Sequence, residues 1–376
     1  MVTLSMLSAS LPAKADVLDI IKNQDTFHPY ISTSITYDDN LFRLEKNPLA
    51  DTIFQAAVGL NMNWELARQR FILNLAVNDN KFDRNKFLDY VGTDVQARWN
   101  WQLGNHLNGE MGYTNSTTLG SFTDISNTKV NNQRTQERLF FNSKWLFHPS
   151  WQLGLGVYRS TFDYGDSQQK TLNREESTVE ASLQYLSSSS SKVGIKLRES
   201  DFRYPFRTFP DNGFQQHDLM GTLDWTLSTK TRFQAQAGIV KKEGHDTSNR
   251  DFLQFSGRGT LSWLPSAKNK LDIAVWRNVS NYEDLATSYA INQGISIEPA
   301  WFPTSKTALS GRLAHETRDF IGNDNRADST DSARMTFIYR PINKLTLNAN
   351  VNAETRSSNI RSYDDVSIGF SAAFEM

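Results

Sequence analysis

The sequence predicts an all-β, transmembrane, antiparallel up-and-down barrel of about eighteen strands, with 16–18 as the range, and three observations carry that prediction. First, the chain closes on a ribbon with one oily face: Val366, Ile368, Phe370, Ala372, Phe374 and Met376 alternate with Ser367, Gly369, Ser371, Ala373 and Glu375, the period-2 pattern of a strand between two environments. Second, segments of this kind recur from residue 27 onward, with an aromatic near the end of every second one. Third, mean hydropathy is −0.53 and no apolar run reaches the ~18 residues of a membrane helix. A barrel strand exposes only alternate residues to lipid, so its hydropathy averages out. A final strand also needs a partner for its open edge, and closure onto the first strand supplies one.

The N-terminal residues 1–15 carry a short apolar stretch and end in Ala13-Lys14-Ala15, which looks like the tail of a secretory signal peptide. Residues 16–26 then read as a periplasmic segment, and 27–376 as the barrel. Strand centres fall near residues 33, 58, 75, 96, 110, 140, 156, 182, 196, 221, 236, 257, 274, 296, 312, 335, 350 and 370. The aromatics Trp64, Trp101, Trp145, Tyr185, Trp225, Trp263, Trp301 and Tyr339 recur at spacings of about 36 to 44 residues, the length of one hairpin with its loop. Each precedes a short turn, such as Gly104-Asn105 or His148-Pro149-Ser150. The opposite turns, including Asn40 to Ala50, Asn115 to Val130, Asp201 to Gly213 and Arg318 to Asp328, are longer and richer in charge. Short turns at one end and an aromatic girdle above them place that end at the periplasmic interface of an outer membrane.

Charge fixes which face is which. In Lys192 to Ser200, Val193, Ile195 and Leu197 oppose Lys196 and Arg198, and a one-residue slip would put Lys196 into the bilayer at a cost of roughly 2 to 4 kcal/mol. The same argument turns Arg98, Glu110, Lys196, Arg198, Asp224, Arg258, Asp272, Glu298, Arg312, Arg334 and Arg356 toward the lumen, together with the aromatics Phe140, Tyr158 and Trp276. An eighteen-strand interior is too wide for side chains alone to fill, so the lumen is read as a polar passage.

Other chemistries find little support. Forty basic and 41 acidic residues give no electrostatic footprint for nucleic acid. The chain has no cysteine, which removes disulfides and thiolate sites and suits an oxidising envelope compartment. Six scattered histidines lack metal-ligand spacing. His148 and Ser150, with Pro149 between them, sit in a tight turn, and Asp38-Asp39-Asn40 and Asn323-Asp324-Asn325 read as turn residues. No catalytic residue, metal or cofactor is expected.

The stretch Phe27-His28-Pro29-Tyr30 with Tyr37-Asp38-Asp39-Asn40-Leu41-Phe42-Arg43 resembles the opening of the EpsL family, outer-membrane barrels associated with exopolysaccharide synthesis and exosortase systems in Gram-negative bacteria. The resemblance implies passage of an exopolysaccharide chain across the outer membrane, with periplasmic export components as partners. Val366, Ile368, Phe370, Phe374 and Met376 are similar to the C-terminal assembly signal of bacterial outer-membrane barrels, read by the barrel assembly machinery, although Met376 stands in place of that signal's usual final aromatic. Composition alone fits a general or solute-specific porin equally well, and a structural barrel that retains polymer at the cell surface is the third reading.

Overall fold

The computed structural model describes residues 26–120, 122, 130–207, 212–245, 251–280, 289–321 and 326–376. The expected signal segment, nearly all of residues 16–26 and the Asn323-Asp324-Asn325 cluster lie outside them. Eighteen strands follow in order: β1 (Phe27–Asp38), β2 (Asp51–Leu66), β3 (Gln69–Phe82), β4 (Tyr90–Leu103), β5 (Leu107–Leu119) and β6 (Gln133–His148) come first. Next are β7 (Trp151–Tyr164), β8 (Arg174–Leu186), β9 (Lys192–Arg203), β10 (Gly213–Ser228), β11 (Thr231–Gly244) and β12 (Phe252–Ser266). The circuit ends with β13 (Asn269–Ser280), β14 (Tyr289–Thr304), β15 (Thr307–Ile321), β16 (Ala327–Ile342), β17 (Leu345–Ser358) and β18 (Tyr363–Glu375). Every centre read from the sequence falls inside its strand.

Each strand pairs antiparallel with its chain neighbours, and β18 returns to β1, from Tyr30 opposite Glu375 to Asp38 opposite Ser367. Closure removes the free edges that an open sheet of this size would carry. Pro29 has no N–H to offer, but its carbonyl accepts the Met376 N–H at 2.8 Å. His28 Nδ1 lies 2.9 Å from Glu375 Oε1, so the chain's last residues are tied to its first strand.

Exposure follows the alternation of the strands. Val193, Ile195 and Leu197 are outward and exposed, as are Leu155, Val157, Val179 and Phe370. Strands of 12 to 16 residues exceed the 9–11 that a tilted strand needs to span a bilayer, so their outer ends rise above it. There the outward positions turn ionic, with Arg159 beside Glu175, Arg203 beside Asp201 and Lys241 beside Glu243.

The turn end is more regular than its sequence suggested. Trp225, Trp263, Trp301 and Tyr339 stand 38 residues apart, and a break in register follows each of them, at Thr226/Ser228, Trp263/Ser266, Trp301/Thr304 and Tyr339/Ile342. The two-residue turns then close on Lys230, Lys268, Lys306 and Lys344. Lys268 Nζ reaches the Pro303 carbonyl at 3.0 Å and Lys306 Nζ the Pro341 carbonyl at 2.8 Å. Each turn is thereby stitched to the next, and the backbone does the same: the Leu264, Phe302 and Arg340 N–H groups donate to the carbonyls of Lys230, Lys268 and Lys306 at 2.8 Å.

Candidate functional site

The lumen wall is built from the inward half of every strand, and its charges are mostly paired across the ladders. Arg198 donates to Glu180 at 3.0 Å and lies 3.5 Å from Asp218, while Lys196 is 3.6 Å from the same Glu180. Lys270 pairs with Asp272 at 2.6 Å, Arg312 with Glu298 at 3.5 Å and Arg98 with Glu110 at 4.0 Å. Asp224 takes both arms of Arg232 near the turn end. Arg334 donates to Asn352. Arg198 stands directly opposite both Glu180 and Asp218, Lys270 and Asp272 pair along one strand, and the other ion pairs join neighbouring strands on the inward face, so the register and the charge pattern agree.

The inward aromatics lie flat against the wall, and glycines on their own or neighbouring strands make the room. A Cβ on Gly112 would come within 2.6 Å of the Phe140 ring, one on Gly156 within 2.8 Å of the Tyr158 hydroxyl, and one on Gly294 within 2.4 Å of Trp276. Arginines sit on these rings. The Arg138 guanidinium is 5.0 Å from the Tyr158 ring centre and 5.9 Å from that of Phe140, and Arg258 is 5.4 Å from Trp276. Such contacts are favourable by about 0.5–1 kcal/mol when exposed and more when desolvated. Among the described residues neither Arg138 nor Arg258 is in an ion pair with a carboxylate. Arg138 escaped the sequence reading, although its place two residues before Phe140 puts it on the same face.

Two expected lining residues are less open than expected. Trp276 is only 9% exposed because Arg258 covers it and its indole N–H donates to Glu316 at 3.0 Å. Arg356 is 3% exposed, held with Asp328 and Arg326 in an ionic cluster at the outer end. Both face inward, but neither forms open passage wall. Of the girdle residues, seven are exposed on the lipid side. Trp101 is the exception at 9%, since it lies over Gly109 and stacks on Phe141 with ring centres 6.0 Å apart.

The outer mouth is narrowed by folded-in segments. The first outer loop, residues 39–50, brings Leu41 and Phe42 into a cluster with Phe82, Leu88 and Phe122, against Ile53, Tyr90 and Leu119. Phe42 is 2% exposed and meets Phe122 edge-on at 4.9 Å. The opening motif explains how the loop is held. Asn40 Nδ2 donates to the Leu44 carbonyl at 2.9 Å and to the Asp364 carbonyl at 2.8 Å, and its Oδ1 accepts the Leu44 N–H at 2.8 Å. Asp39 exchanges two bonds with Val366, its N–H donating at 3.1 Å and its Oδ1 accepting at 2.8 Å. Arg43, in the left-handed region at φ 57°, bridges Asp38 at 3.1 Å and Asp365 at 2.8 Å.

The carboxylates of Asp38, Asp39 and Asp365 therefore gather at the seam with a guanidinium between them. Burial by itself would lower the pKa of Arg43, but Asp38 and Asp365 outweigh it and raise the pKa, so the cation is held charged. The motif that marks the start of the barrel is thus a clasp across the β1–β18 junction. At the turn end, His148 Nδ1 accepts the Ser150 backbone N–H at 3.2 Å; the ring caps a turn and does not address the serine hydroxyl.

No protein-family model and no curated protein matches the sequence. Solved structures do. The outer membrane protein OpdK from Pseudomonas aeruginosa is 10% identical, with a TM-score of 0.53 over 94% of this chain and 100% of its own. OccK2 (OpdF) from the same organism, solved with glucuronate, is 8% identical with a TM-score of 0.55 over 93% and 98%. OpdK with vanillate aligns at 9% identity and 0.53 over 93% and 99%. At such identities the likeness is one of fold. The chain is an eighteen-strand β-barrel of the Gram-negative outer membrane, with a lipid-facing girdle and a polar interior. Its likeness is to outer-membrane barrels.

Proposed function

We propose that this barrel is a passive outer-membrane channel for small polar solutes, with a preference for anions. The observation that carries the reading is that Arg138 and Arg258, which have no carboxylate partner among the described residues, are each braced on an aromatic ring in a wall most of whose other charges are paired. An arginine without a carboxylate partner attracts an anion, offers it a planar donor pair, and does so more strongly where water is scarce. Vanillate and glucuronate, found with two of the fold neighbours, are both carboxylates. Reconstitution in a planar bilayer under a salt gradient tests the reading. The reversal potential is expected on the anion side and to move toward the cation side in Arg138→Gln/Arg258→Gln. A cation-selective parent barrel would refute it.

The second reading is the conduit for exopolysaccharide that the EpsL resemblance implies. The flat rings of Phe140 and Tyr158 beside Asn142 favour it, since sugars offer hydroxyls for amides and C–H faces for aromatic contact. Handling of the β18 strand by the barrel assembly machinery and contact with periplasmic export components belong to that proposal. Deleting the gene in its host separates the two: polymer lost from the medium and accumulated in the periplasm means export, whereas normal secretion with slower solute uptake means a porin.

A further inference from the structure

The β13–β14 hairpin changes sides along its length. Val275 and Ile295 oppose each other in the ladder and are exposed on the lipid face, at 51% and 44%. Further toward the tip, on the same face of the same hairpin, Val279 opposes Ile291. Ile291 is buried, however, and both pack with Met220, Val240 and Phe252. Those three are lumen residues: Met220 lies opposite Lys196, Val240 opposite Asp218 and Phe252 opposite Lys242.

Two further contacts agree. The Tyr289 ring is 4.0 Å from that of Phe252, and its hydroxyl accepts from Gln254 Nε2 at 3.2 Å. Arg277 donates to Gln254 Oε1 at 3.3 Å. The outer end of the hairpin therefore lies inside the wall made by β10, β11 and β12.

The wall is split where this happens. The β12–β13 ladder ends with Gly257 opposite Arg277, although β12 continues to Phe252 and β13 to Ser280. Ser256, Phe255 and Gln254 are left unpaired with Asn278, Val279 and Ser280, so two strand edges run beside each other with an unfinished ladder. Two arrangements compete for these residues. In the observed one the apolar side chains bury one another inside the mouth. In the other the ends of β13 and β14 would swing outward, carrying the end of β15 that is paired with β14 as far as Tyr289 opposite Ile321; the ladder would extend with Phe255 opposite Val279, and Val279, Ile291 and Tyr289 would regain the lipid face that their alternation specifies. Each arrangement has contacts the other lacks, which is what makes an element two-state.

We propose that the outer ends of β13 and β14, at Val279 and Ser280 and at Tyr289 to Ile291, are a gate, closed in this structure, that opens by completing the β12–β13 ladder. The gate rests on the channel reading, and the hinge motion beneath it is testable apart from conduction. Because the natural chain has no cysteine, Phe255→Cys/Val279→Cys places the only thiols at the positions that meet when the ladder extends. Gly259→Cys/Val275→Cys, already opposite each other, is the control for oxidation. In membrane-inserted barrels the Phe255–Val279 pair is expected to crosslink on oxidation, and conductance is expected to rise and to fall back on reduction. Tyr289→Ala is expected to raise conductance without any crosslink. A control pair that oxidises while the Phe255–Val279 pair does not would overturn the hinge, and crosslinking without a rise in conductance would overturn the gate. A barrel that crosslinks yet conducts in neither state would instead defeat the channel reading.

Discussion

Asn40→Ala isolates the clasp at the barrel seam. Asn40 is 2% exposed and its amide makes three bonds, two donated to the Leu44 and Asp364 carbonyls and one accepted from the Leu44 N–H. At about 0.5–1.5 kcal/mol each, their loss costs about 1.5–4.5 kcal/mol. The β1–β18 ladder of nine residue pairs does not depend on this side chain, so the loss is expected in docking of the loop and not in unfolding of the barrel. Limited trypsin digestion of the folded, detergent-solubilised protein reads it at Arg43 and Lys46. When opening and closing are fast relative to cleavage, the rate follows the open population, and about 3 kcal/mol corresponds to roughly 100-fold faster cutting. Urea midpoints of the barrel should stay nearly constant. An unchanged cleavage rate would refute the argument that the amide holds the loop.

Phe42→Ala removes a side chain from the loop's apolar cluster, at a cost of about 3–5 kcal/mol in docking, and should raise single-channel conductance by freeing the mouth. Leu197→Arg puts a charge on the lipid face and is expected to destabilise folding into bilayers by roughly 2–4 kcal/mol; the neighbouring Lys196→Leu, on the lumen side, should change stability far less, as refolding titrations into vesicles would report. Gly294→Ala sets a methyl within 2.4 Å of the Trp276 indole and 2.6 Å of the His315 carbonyl. It should lower stability by about 1–3 kcal/mol and blue- or red-shift tryptophan emission as the ring is displaced.

Much of the architecture was legible because a barrel strand writes its environment every second residue. Lys196 and Arg198 against Ile195 and Leu197 left one tolerable register, and similar oppositions located all eighteen strands. The mouth was harder to read. Tyr289 and Ile291 share the strand face of the lipid-facing Ile295 and Ile297, yet they pack inside the wall, because alternation reports a side chain's face of its own strand and not where that strand lies relative to its neighbours. Phe42 and Leu41 sit among polar loop residues, and their burial depends on Phe82, Leu88 and Phe122, far away in sequence. The motif Asp38-Asp39-Asn40 was visible as a strand end. Its role needed Asp364, Asp365 and Val366 from the other end of the chain.

The 38-residue spacing at the turn end has a consequence for size. From Trp225 to Tyr339 the wall is laid down in equal increments, each delivering one hairpin and ending in an aromatic, a bulge and a lysine turn. Excising residues 264–301 would join Trp263 to Phe302 and leave Trp-Phe-Pro-Thr-Ser-Lys at the new junction, with the stitching lysine in its usual place. The circumference would then shrink by two staves to sixteen, and inserting a copy would widen it to twenty. Pore diameter in such a chain is a count of modules, adjustable by duplication or loss of one genetic segment without redesign of the remaining wall.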